Sequence, residues 1–187
     1  MVASAYSFCK GGGEVLKIAT SMRQLPFQQL MEVYQETNIR SAQRHWSAYS
    51  PERGLAIAED RFYEELQCGF FSIPHAMYCL WMVEGECVSA LRLEPWQDGW
   101  LLAALETAPD RRKQGHAQAL LRAVQGYLSA QGAVKLYSHI HCRNKVSIHV
   151  HEACGFRKIT DTAKLLDGTI TTQMSTYHYQ DNTPVVY

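Results

Sequence analysis

Between Ala117 and Leu128 the residues Ala117, Leu120, Leu121, Val124 and Leu128 recur at i, i+3, i+4, i+7 and i+11, which lays one apolar stripe along an α-helix. Gly132 stands where such a helix stops. A helix with a single apolar stripe has to cover another apolar surface. Shortly before it runs Trp100–Thr107, an apolar segment of strand length. The two together require a layered arrangement in which this helix packs on a sheet.

The rest of the chain supplies strands for that sheet. Met77–Val83, Cys87–Leu93 and Trp100–Thr107 are apolar or alternating, and Glu84-Gly85-Glu86 and Pro95-Trp96-Gln97-Asp98-Gly99 separate them as turns, so they read as an antiparallel meander. Upstream, Val15–Ala19 reads as a short strand. Pro26 stands where a helix can start, and Phe27, Leu30, Met31 and Tyr34 come after it at helical spacing. Residues 47–54 contain Ser-Pro-Glu-Arg-Gly, read as a turn, after which Ala58, Phe62 and Leu66 predict a second helix to about Cys68. Downstream, Lys135–Ile140 predicts a strand, Lys145–Ala153 a short helix, Phe156–Thr160 a strand and Thr169–Tyr179 a last β-rich segment. Residues 1–13 lack periodicity and end in three glycines, so a flexible tail is expected there, with residues 14–187 as one domain. The expected class is α/β in the broad α+β sense, a mixed and mostly antiparallel sheet flanked by helices.

Charge narrows the partners. Eighteen Lys and Arg balance eighteen Asp and Glu, so no global field draws the chain to nucleic acid or to an acidic membrane, and any anion site has to be local. The apolar runs are far shorter than the roughly 20 residues that cross a bilayer. The N-terminus lacks the basic, apolar and small-residue regions of a secretory signal, which makes the cytoplasm the expected compartment. Six cysteines are scattered without a CxxC pair and are read as reduced.

The connection from Leu105 to Ala117 carries the chemistry. It joins the apolar strand to the start of the long helix, where main-chain N–H groups have no intrahelical partner and the helix dipole adds positive charge. Phosphate oxygens are good ligands for such a terminus. Gly115 permits close approach of an anion to the backbone, and Arg111, Arg112 and Lys113 raise the local potential. A solvated basic turn ahead of a helix is the simpler alternative.

This order of elements and this turn resemble the GNAT superfamily of N-acetyltransferases, whose acyl-CoA signature is Gln/Arg-x-x-Gly-x-Gly/Ala. Here the signature stands as Arg112-Lys113-Gln114-Gly115-His116-Ala117, with Pro109 three residues before Arg112. A second stretch, Asn144-Lys145-Val146-Ser147-Ile148-His149-Val150-His151-Glu152-Ala153-Cys154-Gly155-Phe156, is similar to the family's Asn-x-x-Ala-x-x-x-Tyr-x-x-x-Gly-Phe. Asn144, Ser147 and His151 share a helix face there. His151 stands where many members carry a thiolate-protonating Tyr, and Ser147 replaces a small apolar residue.

The resemblance implies a GNAT-type fold in which the fourth and fifth core strands, Trp100–Thr107 and Lys135–Ile140, splay apart. It implies acetyl-CoA as acyl donor and an amine as acceptor, joined by direct attack in a ternary complex. The Leu105–Thr107 backbone would line the thioester, the amides of residues 112–117 would hold the diphosphate, and Asn144 would face the cofactor. Glu106 is the candidate base and His151 the candidate acid, each with a plainer alternative as a solvated or packed side chain. The acceptor cleft would draw on Arg40, Arg44, His45, Trp46, Tyr49 and Tyr63, with Tyr177 and Tyr179. No metal is expected, because His139, His141, His149 and His151 lack the spacing of a closed site. A homodimer stays open, and so does a non-catalytic acyl-CoA sensor on the same fold.

Overall fold

A computed structural model of the chain describes residues 8–10, 13–132 and 135–180. Strands β1 (Phe8–Lys10) and β2 (Glu14–Ala19) are followed by helices α1 (Phe27–Val33), α2 (Gln35–His45) and α3 (Pro51–Glu64). The meander β3 (Met77–Val83), β4 (Glu86–Trp96) and β5 (Gly99–Thr107) leads into α4 (His116–Ser129), β6 (Lys135–His141) and α5 (Lys145–Ala153). Strands β7 (Arg157–Thr160), β8 (Ala163–Lys164), β9 (Ile170–Thr171) and β10 (Met174–Gln180) complete the order. One sheet runs β1-β2-β3-β4-β5-β6-β10-β7, antiparallel except where β5 and β6 are parallel, and β8 and β9 form a separate pair.

The apolar run of β3 is explained by burial on both faces. Cys79 and Trp81 face the core beneath α4, whereas Tyr78 and Leu80 face the core beneath α1. The stripe on α4 lands as its spacing requires, with Leu120, Leu121 and Val124 buried against β2, β3, β4 and β5. Each such side chain contributes about 1.5–3 kcal/mol by leaving water. On the opposite face Arg92 of β4 lies near the rings of Phe62, Phe70 and Tyr78 and pairs with Glu65 at 2.7 Å, holding the end of α3 to the sheet.

Two features of the meander shape the far end of β5. Ala104 has φ 53°, and the register with β4 steps from Ala90↔Glu106 to Arg92↔Ala103, which marks a bulge. Beside it, β5 and β6 pair only from Trp100↔Leu136 to Leu102↔Ser138. They meet tightly at their start, where a Cβ on Gly99 would fall 2.2 Å from the Lys135 carbonyl, and beyond Leu102 the ladder stops. Counted from β2, β5 and β6 are the fourth and fifth core strands, and they splay as expected.

Local chemistry corrects two expectations. The Ser-Pro-Glu-Arg-Gly stretch starts α3: Ser50 Oγ accepts the Arg53 N–H at 3.3 Å and Pro51 occupies the first turn, where its missing N–H is harmless. The first helix is broken at Tyr34 into α1 and α2. Within the expected tail, Phe8–Lys10 pairs antiparallel with β2, whose edge offers free backbone groups, while residues 1–7, 11 and 12 lie outside the described residues.

Candidate active site

After Thr107 the chain makes a 3-10 turn over Pro109–Arg111 and enters α4 through Lys113 and Gly115, with φ of 61° and 85°. Left-handed residues interleaved with ordinary ones gather main-chain N–H groups into an anion-binding concavity. The first bond of the helix runs from the Ala119 N–H to the Gly115 carbonyl at 2.9 Å, which leaves the amides of the turn before it without intrahelical partners.

This turn, the end of β5 and the start of α5 enclose a cavity of about 740 Å³. Leu105, Glu106, Thr107, Arg112, Lys113, Gly115, His116, Ala117 and Asn144 all line it, so most of the residues expected from the sequence are brought together. The cavity holds room for a sizeable ligand, and Leu105–Thr107 border it beyond the point where the β5–β6 ladder stops. Asn144 also caps α5, its Oδ1 accepting the Ser147 N–H at 3.0 Å.

Of the expected catalytic and cofactor-side residues, two lie outside it. Gln114 does not line the cavity, and its side chain donates to the Asp110 carbonyl at 3.3 Å. His151 is 1% exposed, with Nδ1 2.8 Å from the Ser147 carbonyl and its ring edge-on to Phe156 at 5.0 Å. A carbonyl only accepts, so Nδ1 carries the proton, and the buried Nε2 has no partner. Burial lowers its pKa, the bond to Ser147 opposing, so the ring stays neutral near pH 7. Val146, Ser147 and Val150 form the stripe of α5 that faces the cavity, and His151 follows Val150 by about 100° around the helix, toward the core. The shared face with Asn144 does not bring His151 to the cavity.

Glu106 is held at both ends. Its carbonyl accepts the hydroxyl of fully buried Ser89 at 2.6 Å, and its Oε1 accepts the hydroxyl of Thr37 at 3.0 Å. Helix α2 brings further charge that the sequence pattern did not single out. Glu36 lines the cavity and pairs with Arg112 at 2.8 Å and with Arg40 at 3.7 Å. The i, i+4 spacing of Glu36 and Arg40 signals a charged helix face but not what it faces.

Of the other residues expected at the acceptor cleft, Arg40 lines this cavity. Trp46 and Tyr49 line a separate cavity of about 470 Å³ between α2 and α3. Tyr177 is buried in the core beneath α4. Among the described residues no three His, Cys, Asp or Glu side chains gather as a metal site would require, and no helix is long and apolar enough to cross a membrane.

Comparison with known proteins points the same way. PaiA N-acetyltransferase from Thermoplasma acidophilum, solved in complex with coenzyme A, superposes with a TM-score of 0.60 at 13% identity, over 89% of this chain and 99% of that one. The ribosomal-protein-S18-alanine N-acetyltransferase from Escherichia coli superposes with 0.57 at 16% identity, over 92% and 99%. Aminoglycoside 6′-acetyltransferase type Ii gives 0.59 at 16% identity, over 89% and 99%. At these identities the likeness is one of fold. Among curated protein sequences none matches significantly. The sequence profile of the acetyltransferase (GNAT) family matches residues 27–156, from α1 to the end of the second motif, and the chain belongs to that family.

Proposed function

We propose that this protein transfers the acetyl group of acetyl-CoA to a primary amine within a ternary complex. The observation that carries this reading is a single cavity lined by the first turn of α4, by the end of β5 that β6 leaves unpaired and by the carboxylate-bearing Glu106. The diphosphate binds the amides of residues 112–117, with Arg112 and Lys113 adding charge. Pantetheine runs along the Leu105–Thr107 main chain, which the parting of β5 and β6 leaves without ladder bonds on that side. Asn144, at the start of α5, borders the same channel.

Glu106 takes a proton from the acceptor ammonium, directly or through one water, and the freed lone pair attacks the thioester carbonyl carbon. The new C–N bond forms as the carbonyl oxygen becomes an oxyanion. Collapse of that intermediate breaks the C–S bond, the nitrogen gives up its remaining extra proton to leave a neutral amide, and the departing thiolate takes up a proton to leave as free CoA thiol. Because His151 is sealed in the core, water or a cavity hydroxyl such as that of Ser147 serves as the proton source better than the imidazole does.

The test is release of free thiol from acetyl-CoA across a panel of alkylamines, amino acids, an aminoglycoside and a peptide with N-terminal alanine, beside calorimetric titration with acetyl-CoA. Turnover with at least one amine supports the enzyme. Saturable binding without turnover across the panel supports the sensor, and absence of binding removes both.

A further inference from the structure

The contacts of Glu106 have a direction. The Arg40 guanidinium, which can only donate, lies 2.8 Å from Thr37 Oγ1. The single hydroxyl hydrogen of Thr37 is then directed at Glu106 Oε1, 3.0 Å away. A hydroxyl polarised by a cation makes a stronger donor, and its bond holds the carboxyl oxygen it reaches in one place. Oε1 is thereby fastened, whereas Oε2 makes no hydrogen bond among the described residues. On the main-chain side Glu106 is fixed independently, by pairing with Ala90 beyond the bulge and by the Ser89 hydroxyl. Strand β5 therefore sets where the carboxylate stands, and α2 sets which oxygen stays available.

We propose that Thr37 is a positioning residue for Glu106, with Arg40 polarising its hydroxyl, so that Arg40, Thr37 and Glu106 form one relay that fastens Oε1 and presents Oε2 to the acceptor. The proposal rests on the reading of Glu106 as the base. The relay places the control of that base on α2, the helix that also brings Glu36 and Arg40 to the cavity.

Thr37→Val removes the hydroxyl at nearly constant volume, and Thr37→Ser restores it. With the best acceptor of the amine panel, Thr37→Val lowers kcat about tenfold, equivalent to roughly 1.4 kcal/mol, with the acetyl-CoA Kd within about twofold of the parent. Thr37→Ser recovers most of the rate. Glu106→Gln lowers kcat by about 10² or more, the usual worth of a positioned base. Added to Glu106→Gln, Thr37→Val causes no further loss, because its effect passes through the carboxylate. An unchanged kcat in Thr37→Val, or an equal loss in both backgrounds, overturns the relay. Full turnover in Glu106→Gln removes instead the assignment of Glu106 as base. An arm independent of any acceptor tracks the Glu106 side-chain carboxyl ¹³C resonance, assigned by its loss in Glu106→Gln. It moves in Thr37→Val and returns in Thr37→Ser, and a resonance that stays put overturns the proposal.

Discussion

The hydroxyl of Tyr34 donates to the main-chain carbonyl of Ala104, tying the break between α1 and α2 to the bulge in β5. Tyr34 is 2% exposed, and burial pushes its phenol well above the ordinary range, so it stays a donor at any working pH. Its ring packs against Phe62 and Tyr78, which fixes the direction of the hydroxyl. The bulge that precedes Leu105–Thr107 is thus anchored from the helical layer.

Tyr34→Phe keeps the ring and removes that anchor. Stability falls by about 1 kcal/mol, the usual worth of one such bond, as measured by urea unfolding. Acetyl-CoA affinity falls with it, because the main chain along which the proposed pantetheine path runs loses its fixed course. Unchanged affinity would show that the bulge keeps its course without Tyr34.

Gly115→Asn separates backbone strain from obstruction. Asn tolerates the left-handed conformation that Gly115 adopts at φ 85°, and a Cβ there meets nothing within 4 Å, so stability stays within about 1 kcal/mol. The added side chain stands where, on the proposed reading, the diphosphate approaches the amides. Calorimetry should show acetyl-CoA affinity reduced about tenfold or more, in line with lost hydrogen bonds to a charged group. Wild-type affinity would place the diphosphate elsewhere.

Acid should destabilise the protein through one buried and two half-buried imidazoles. His151, His139 and His178 all have their pKa lowered by burial, so below about pH 6.5 the unfolded chain takes up protons that the folded chain refuses. Stability therefore falls as pH drops from 7.5 toward 5.5. Glu94, whose carboxyl burial pushes up, acts in the opposite sense at the acid end. His151→Gln should flatten the slope of unfolding free energy between those pH values. An unaltered slope would mean that His151 titrates alike in both states.

Ser50→Ala should cost about 1 kcal/mol by removing the cap of α3, read by thermal or urea unfolding. No loss would mean that Pro51 alone sets the start of the helix.

Much of the fold is written in local pattern. The stripe of α4 and the alternation through β3 to β5 rest on residues near in sequence and led to the right elements, and the Arg112–Ala117 signature, equally local, falls at the mouth of α4 beside a cavity. The residues that line the cavity converge because one strand, one turn and two helix starts are contiguous or nearly so. The hidden part depends on contacts across long separations. Thr37 meets Glu106, and Glu36 meets Arg112, only after α2 has crossed the sheet, and no spacing rule encodes that meeting. His151 misled for a related reason: helical periodicity fixes which residues share a face, not whether that face meets a cavity or Phe156. Ser50-Pro51 misled because the same residue types open turns and cap helices, and only the partner of the Ser50 hydroxyl distinguishes the two.

The most direct measurement is a crystal structure of the protein with coenzyme A bound. The account predicts diphosphate oxygens at roughly 2.7–3.2 Å from main-chain nitrogens within residues 112–117, and the thiol directed between β5 and β6 beside Glu106. A diphosphate bound to any other part of the surface, with the first turn of α4 facing only water, would contradict it.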